Sequence, residues 1–253
     1  MRQACVVAVC VLAAGCARSG ASAGGARGDG GDLAGAANGA AADRDGATSD
    51  GASPADLSSL ASFFVTSRGL GSGGDLRASP SDADGLAGGD ALCATLAASS
   101  PVLAGRSWRA YLSTSGTDAR DRIGAGPWHN VRGVLIAHTV AELHEEGGAR
   151  NAIEQATALD EQGHELVGFD HPAGTENVHD ILTGATPDGR TAASCADWTS
   201  ADPDTRGRVG HSDRMGGTTN SWNSVHDTDG CAESGDRSVR SAGGRGSLYC
   251  FAL

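Results

Sequence analysis

The sequence contains no lysine. All 19 basic residues are arginine, against 31 acidic residues, and the formal net charge is −12. That balance excludes a broadly basic surface for nucleic acid or anionic membrane, because neutralising phosphates needs an excess of positive charge. Aromatic side chains are also scarce, at 4% of the chain, and every one of them falls after residue 60. The hydrophobic core is therefore expected in the later part. Past the first fifteen residues no apolar run approaches the roughly 20 residues that a membrane span requires.

Glycine, by contrast, is abundant, with 39 positions, so much of the chain is expected in loops. The N-terminus has a short positive start, Met1-Arg2-Gln3, followed by the apolar stretch Ala4–Leu12. It is too short to span a bilayer and has the form of an export signal. It ends in Leu12-Ala13-Ala14-Gly15-Cys16, which resembles the bacterial lipobox, so residues 1–15 are predicted to be a lipoprotein signal peptide and Cys16 the lipidated residue. Ala17 to Ala55 holds 23 Gly or Ala in 39 residues, with Leu33 the only large apolar side chain. Such a stretch cannot bury enough surface to offset its ordering entropy. Residues 16–60 are accordingly expected to be a disordered tether and 61–253 a single globular domain.

Two familiar motifs occur without the context that gives them meaning. Gly20-Ala21-Ser22-Ala23-Gly24 fits the G-x-S-x-G of serine hydrolases but lies in the tether, with no strand before it or helix after it. Gly69-Leu70-Gly71-Ser72-Gly73-Gly74 fits a dinucleotide fingerprint. It is followed by Asp75-Leu76-Arg77-Ala78-Ser79-Pro80, which has no helical period.

Four cysteines remain in the domain: Cys93, Cys195, Cys231 and Cys250. None forms a C-x-x-C pair, which disfavours a structural zinc site built on thiolates. In an exported chain they imply two disulfides, with three possible connectivities. Periodicity predicts strands at 63–67, 106–114, 133–137, 167–169 and 247–251. It predicts a helix through Leu86, Leu92, Cys93 and Leu96, and a second helix over 140–146 capped by Thr139. His171 to Gly246 is rich in Gly, Asp and Thr and is expected to be a loop-dominated lobe.

Several blocks carry a family resemblance. Gly88-Gly89-Asp90-Ala91-Leu92-Cys93 precedes Leu103-Ala104-Gly105-Arg106-Ser107-Trp108-Arg109-Ala110-Tyr111-Leu112-Ser113. Further on come Val178-His179-Asp180-Ile181-Leu182-Thr183-Gly184, then Pro187-Asp188-Gly189-Arg190, then Ser194-Cys195-Ala196-Asp197-Trp198, and finally Leu248-Tyr249-Cys250. In order and spacing they resemble endostatin, and also lectin-like domains of bacterial surface lipoproteins. The resemblance implies an α+β, C-type-lectin-like fold with nested disulfides, first to fourth (Cys93–Cys250) and second to third (Cys195–Cys231). Endostatin's zinc-binding His residues lie at the start of its domain, and residues 61–90 here contain no His. Its polyanion affinity is not carried over either, since 61–253 holds 15 Arg against 25 acids.

Three stretches are candidates for a site. Trp222-Asn223-Ser224-Val225-His226 resembles in part the Trp-Asn-Asp stretch with which sugar-binding C-type lectins ligate calcium, with Ser in place of Asp. A hard cation wants six to eight oxygens, and the accompanying Glu-Pro-Asn tripeptide is missing. Trp222, in polar surroundings, is expected to be a surface platform for a ligand, with Asn223 and His226 beside it, whereas Trp108, Trp128 and Trp198 are expected in the core. The second candidate is His179-Asp180, His211-Ser212-Asp213 and His226-Asp227, with Asp229 nearby. Its His and carboxylates could ligate zinc or do acid–base work, or serve only to hydrogen-bond loop backbone. The third, Arg237, Arg240 and Arg245, is a locally basic run that could meet an acidic partner.

The expected function is a non-enzymatic binding module, lipid-anchored to the cell envelope at the outer membrane or cell surface, with a glycan or protein ligand. Contact with the membrane is expected through the anchor alone, with no nucleic-acid partner and no obligatory cofactor. The alternative is a secreted metal-dependent hydrolase using His179, Asp180, His211, Asp213 and His226.

Overall fold

The computed structural model describes residues 53–253. The signal segment, Cys16 and the tether up to residue 52 lie outside the described residues. In chain order the elements are α1 (Pro54–Leu60), β1 (Phe63–Val65), α2 (Leu86–Ala98), β2 (Trp108–Ala110), β3 (Trp128–His129), β4 (Leu135–Ala137), α3 (Val140–Leu143), β5 (Asp180–Leu182), β6 (Arg208–His211), β7 (His226–Asp227) and β8 (Gly244–Ala252).

The end of the expected tether is ordered. Ser53 caps α1 in a capping box with Asp56, and Pro54 takes the first helical position. Arg106 Nη2 then donates to Ser58 O at 3.1 Å, fixing α1 to the domain. Composition alone hid this helix, because three local cap residues decide it.

The architecture is mixed α/β. A six-stranded sheet runs β1-β8-β5-β6-β7, with β2 also paired to β8, and β3 and β4 form a separate two-stranded sheet. β5 lies parallel to β8; the other pairs are antiparallel. The last strand is central, so both its faces are covered. Leu248, Cys250 and Ala252 pack with Phe64, Leu92, Cys93 and Val209 on the side of α2. Tyr249 and Phe251 alternate to the other face, among Phe63, Tyr111, Trp128, Ile181 and Trp222. That is the period-2 alternation of a strand buried on both sides.

Two disulfides, Cys93–Cys250 and Cys195–Cys231, close loops of 157 and 36 positions. The first pins α2 to β8. The second holds a left-handed turn, Cys195–Trp198, in which four consecutive residues other than glycine have φ between 49° and 61°. Each such residue costs about 1–2 kcal/mol, so the turn persists only because its surroundings determine it. Trp198 is fully buried and donates Nε1–H to Ser113 O, while the Asp197 carboxylate accepts from Ser115 N.

Residues 171–246 differ most from expectation. They are not a lobe appended to the sheet; they contribute β5, β6 and β7 to it. β6 reads Arg-Val-Gly-His, and its glycine is a steric requirement: a Cβ on Gly210 would sit 1.9 Å from Trp222 O. Residues 167–169, expected as a strand, are not one; Val167 O accepts from Val178 N, and Phe169 stands half exposed. The strand expected over 106–114 shortens to β2, and the helix expected over 140–146 shortens to α3, still capped by Thr139.

Candidate metal centre

Strand register brings the His and Asp residues together. Across β5 and β6, Asp180 faces His211 directly. Across β6 and β7, Val209 faces His226, and since Val209 and His211 share a face, His226 lies diagonally beside His211. His179 precedes β5, where the pairing with β8 shifts register, and its ring stacks on His211 with centroids 4.0 Å apart. Gly243, whose carbonyl accepts from Asp180 N, has φ +114°, and a Cβ there would meet Asn177 Nδ2 at 2.9 Å.

Asp180 Oδ1 is the centre of the group. It lies 3.1 Å from His211 Nε2, 3.4 Å from His179 Nε2 and 3.7 Å from His226 Nε2. His211 Nε2 and His226 Nε2 are themselves 3.1 Å apart. Asp180, His179 and His211 are each no more than 3% exposed, whereas the His226 side chain is 34% exposed. Despite its neighbours, Asp180 Oδ1 is buried with no hydrogen-bond partner.

The other ring nitrogens settle the tautomers. His179 Nδ1 lies 2.9 Å from both oxygens of Asp213. His211 Nδ1 faces Met215 O at 2.6 Å and His226 Nδ1 faces Asp227 O at 3.1 Å. Carboxylates and carbonyls only accept, so each Nδ1 carries a proton, and each ring turns its Nε2 toward Asp180. The ligand atoms of His179, Asp180 and His211 thus lie within 4.8 Å of one another, with His226 Nε2 at their edge. A buried carboxylate oxygen without a donor is costly, and the arrangement calls for a positive charge among them.

The electrostatics point the same way. Burial, the largest influence on His211, pushes its pKa down, yet the adjacent Asp180 carboxylate and the Met215 carbonyl outweigh it and hold the pKa above the ordinary value. For Asp213 burial pushes upward, but hydrogen bonds from His179 and from the backbone N–H of Met215 and Phe169 hold it below the usual carboxylate range.

Three imidazoles and one carboxylate suit zinc and related transition metals. They do not suit calcium, which takes oxygen ligands only. Asp213, expected among the ligands, sits instead on the far side of His179, as the partner that orients the ring. Asp229 lies elsewhere, accepting from Ser241 Oγ. The Nδ1 partners Met215 O and Asp227 O had no signal in the sequence, because they are backbone atoms.

The surface platform expected at Trp222 is not there. Trp222 is 2% exposed, packed against Tyr111 and Tyr249 with ring centroids 4.8 and 5.2 Å away, and its Nε1–H donates to Leu143 O. Its polar sequence neighbours conceal aromatic partners that come from distant strands. Asn223 is equally buried, and its amide nitrogen lies 2.9 Å from Tyr111 Oη and 3.1 Å from Thr186 O, so it is committed to the interior. Of the three expected ligand residues only His226 reaches the surface, and it belongs to the His/Asp group. Of the three arginines, Arg237 pairs with Asp204 and Arg240 with Glu176 and Glu233, while Arg245 donates to Ser67 O and lines a pocket together with Arg240.

A polar cleft of about 760 Å³ is lined by Glu145, Arg150, Glu154, Asp213, Arg214 and Ser221 among others, but by none of His179, Asp180, His211 and His226. Ser212 is buried, and among the described residues its hydroxyl makes no hydrogen bond to a histidine. Among known proteins, no family model matches the chain and no curated sequence matches it significantly.

Proposed function

We propose that the protein is an exported, non-enzymatic binding module, held on the cell envelope by lipid on Cys16, whose His/Asp site takes a transition-metal ion. Its globular part is a C-type-lectin-like, endostatin-like domain, a reading supported by the nested disulfides Cys93–Cys250 and Cys195–Cys231. Paired buried cysteines suit an oxidising compartment, which favours export.

The observation that carries the metal reading is the orphaned Asp180 Oδ1, buried beside three imidazole nitrogens. The hydrolase alternative is less well supported. A hydrolytic metal keeps an open coordination position for water, whereas His226 stands beside the buried trio as a further donor. The polar cleft of about 760 Å³, moreover, is not lined by them.

The test is elemental analysis of the full-length protein and of Asp180→Asn after exposure to zinc and removal of the excess. The native protein should retain about one equivalent, as a four-ligand site does, and the variant less than roughly a tenth of that. Equal, negligible metal in both would make the group an ordinary protonated ion network.

A further inference from the structure

We infer that His226 is both the fourth ligand of this centre and its door: three donors form a buried cup, and zinc-type ions load and leave past the His226 ring. The inference rests on the metal reading above and adds to it the coordination number and the route of exchange.

His179, Asp180 and His211 already lie close enough to share one ion, and the His226 ring stands at their rim. With metal–nitrogen and metal–oxygen bonds of about 2.0–2.2 Å, the edges of a tetrahedron are about 3.3–3.5 Å long. Four of the six edges are 3.1, 3.1, 3.4 and 3.7 Å, but His226 is not among the groups whose ligand atoms all lie within 4.8 Å of one another, which are His179, Asp180 and His211. Seating a four-coordinate ion therefore takes an inward turn of the His226 ring rather than a movement of the sheet. Each ring is already turned the right way by an acceptor on Nδ1, which is how ligating histidines are usually oriented.

The four donors are not equivalent. His179, Asp180 and His211 are almost fully buried and sit at β5 and β6, inside the sheet. Phe169 stacks against His179, 6.0 Å away, on this side of the molecule. His226 alone is substantially exposed, and it stands on β7, the two-residue edge strand that pairs only with β6.

The backbone around His226 is nevertheless fixed. Val225 N donates to Val209 O at 2.8 Å and Thr228 N to Gly207 O at 2.8 Å, while Arg208 pairs with Asp227 at 2.8 Å. Motion is therefore left to the His226 side chain, whose restraint on the Nδ1 side is one exposed hydrogen bond of 3.1 Å. A rotamer change, which takes picoseconds to nanoseconds for exposed residues, would uncover the cup without disturbing the sheet. A centre with one exposed, swinging ligand suits capture and release of an ion at the cell surface better than permanent storage.

The experiment uses the full-length protein stripped of metal. Zinc affinity is measured by competition with a chromogenic chelator, and zinc release by stopped flow into excess chelator. His226→Ala should still bind zinc through the remaining cup, but more weakly than native by more than the roughly 10–100-fold that loss of an outer partner costs, and should release it faster. His226→Cys, which offers a thiolate, should recover part of the affinity. Asp213→Asn should weaken binding by about 10–100-fold through His179. Native affinity and release rate in His226→Ala would overturn the inference while leaving the metal reading intact. Failure of the native protein itself to bind zinc would remove both.

Discussion

Trp222→Ala is expected to lower the stability of the domain by about 3–5 kcal/mol, the range for emptying a large aromatic site in a core. Trp222 touches Tyr111, Tyr249, Phe251 and His144, and its indole N–H satisfies Leu143 O at 3.0 Å. Truncation would leave a cavity at the centre of one face of the sheet and remove one of the two donors to Leu143 O, the other being Asn151 Nδ2 at 2.6 Å. For a domain of this size each kcal/mol moves the melting temperature by roughly 2–4 °C, so a drop on the order of 10 °C should be seen by calorimetry. A melting temperature within about 2 °C of native would mean that Trp222 does not occupy the interior. Zinc binding by the folded fraction should be retained, since Trp222 is not a ligand.

The second large effect concerns the bridge between α2 and β8. Removing it in the double variant Cys93→Ala/Cys250→Ala frees a loop of 157 positions in the unfolded chain. The chain-entropy relation gives about 5 kcal/mol for such a loop and about 4 kcal/mol for the 36-position loop of Cys195–Cys231. Measured values commonly fall lower, at roughly 2–4 kcal/mol. Both Cys93 and Cys250 are wholly buried and pack in the same cluster as Phe64, Leu92 and Leu248, so their sulfurs also fill space. Urea denaturation should therefore show a loss of at least about 2 kcal/mol for the Cys93/Cys250 variant, and more for it than for Cys195→Ala/Cys231→Ala. The reverse ranking would place the main staple of the fold in the left-handed turn instead.

How much of this was legible in the sequence depends on whether the signal was local. β1, α2 and β8 declare themselves by apolar runs and period, because each is buried in a regular way. The His/Asp group was visible as three separate His-Asp stretches, since the residue types announce their chemistry. Their convergence was not visible, because it depends on the register of β5 against β6 and of β6 against β7. For the same reason Asp213 could be taken for a ligand when it is the outer partner of His179.

Trp222 shows the opposite failure. Its neighbours Ser221, Asn223 and Ser224 are polar, and composition suggests a surface, yet Asn223 turns inward to Tyr111 and the indole is enclosed. The strands between 171 and 246 were hidden by their brevity. β6 contains a glycine that the backbone of Trp222 requires and a histidine that the centre uses, which leaves Val209 as its one conventional strand residue.

X-ray absorption at the zinc edge, on the full-length protein loaded with one equivalent, tests the central claim most directly. The expected spectrum has four nitrogen or oxygen neighbours at about 2.0–2.1 Å, with the outer-shell scattering of three imidazole rings. A six-coordinate shell of oxygens without imidazole scattering, or zinc that remains wholly in solution, would contradict the assignment of His179, Asp180, His211 and His226 as a metal centre.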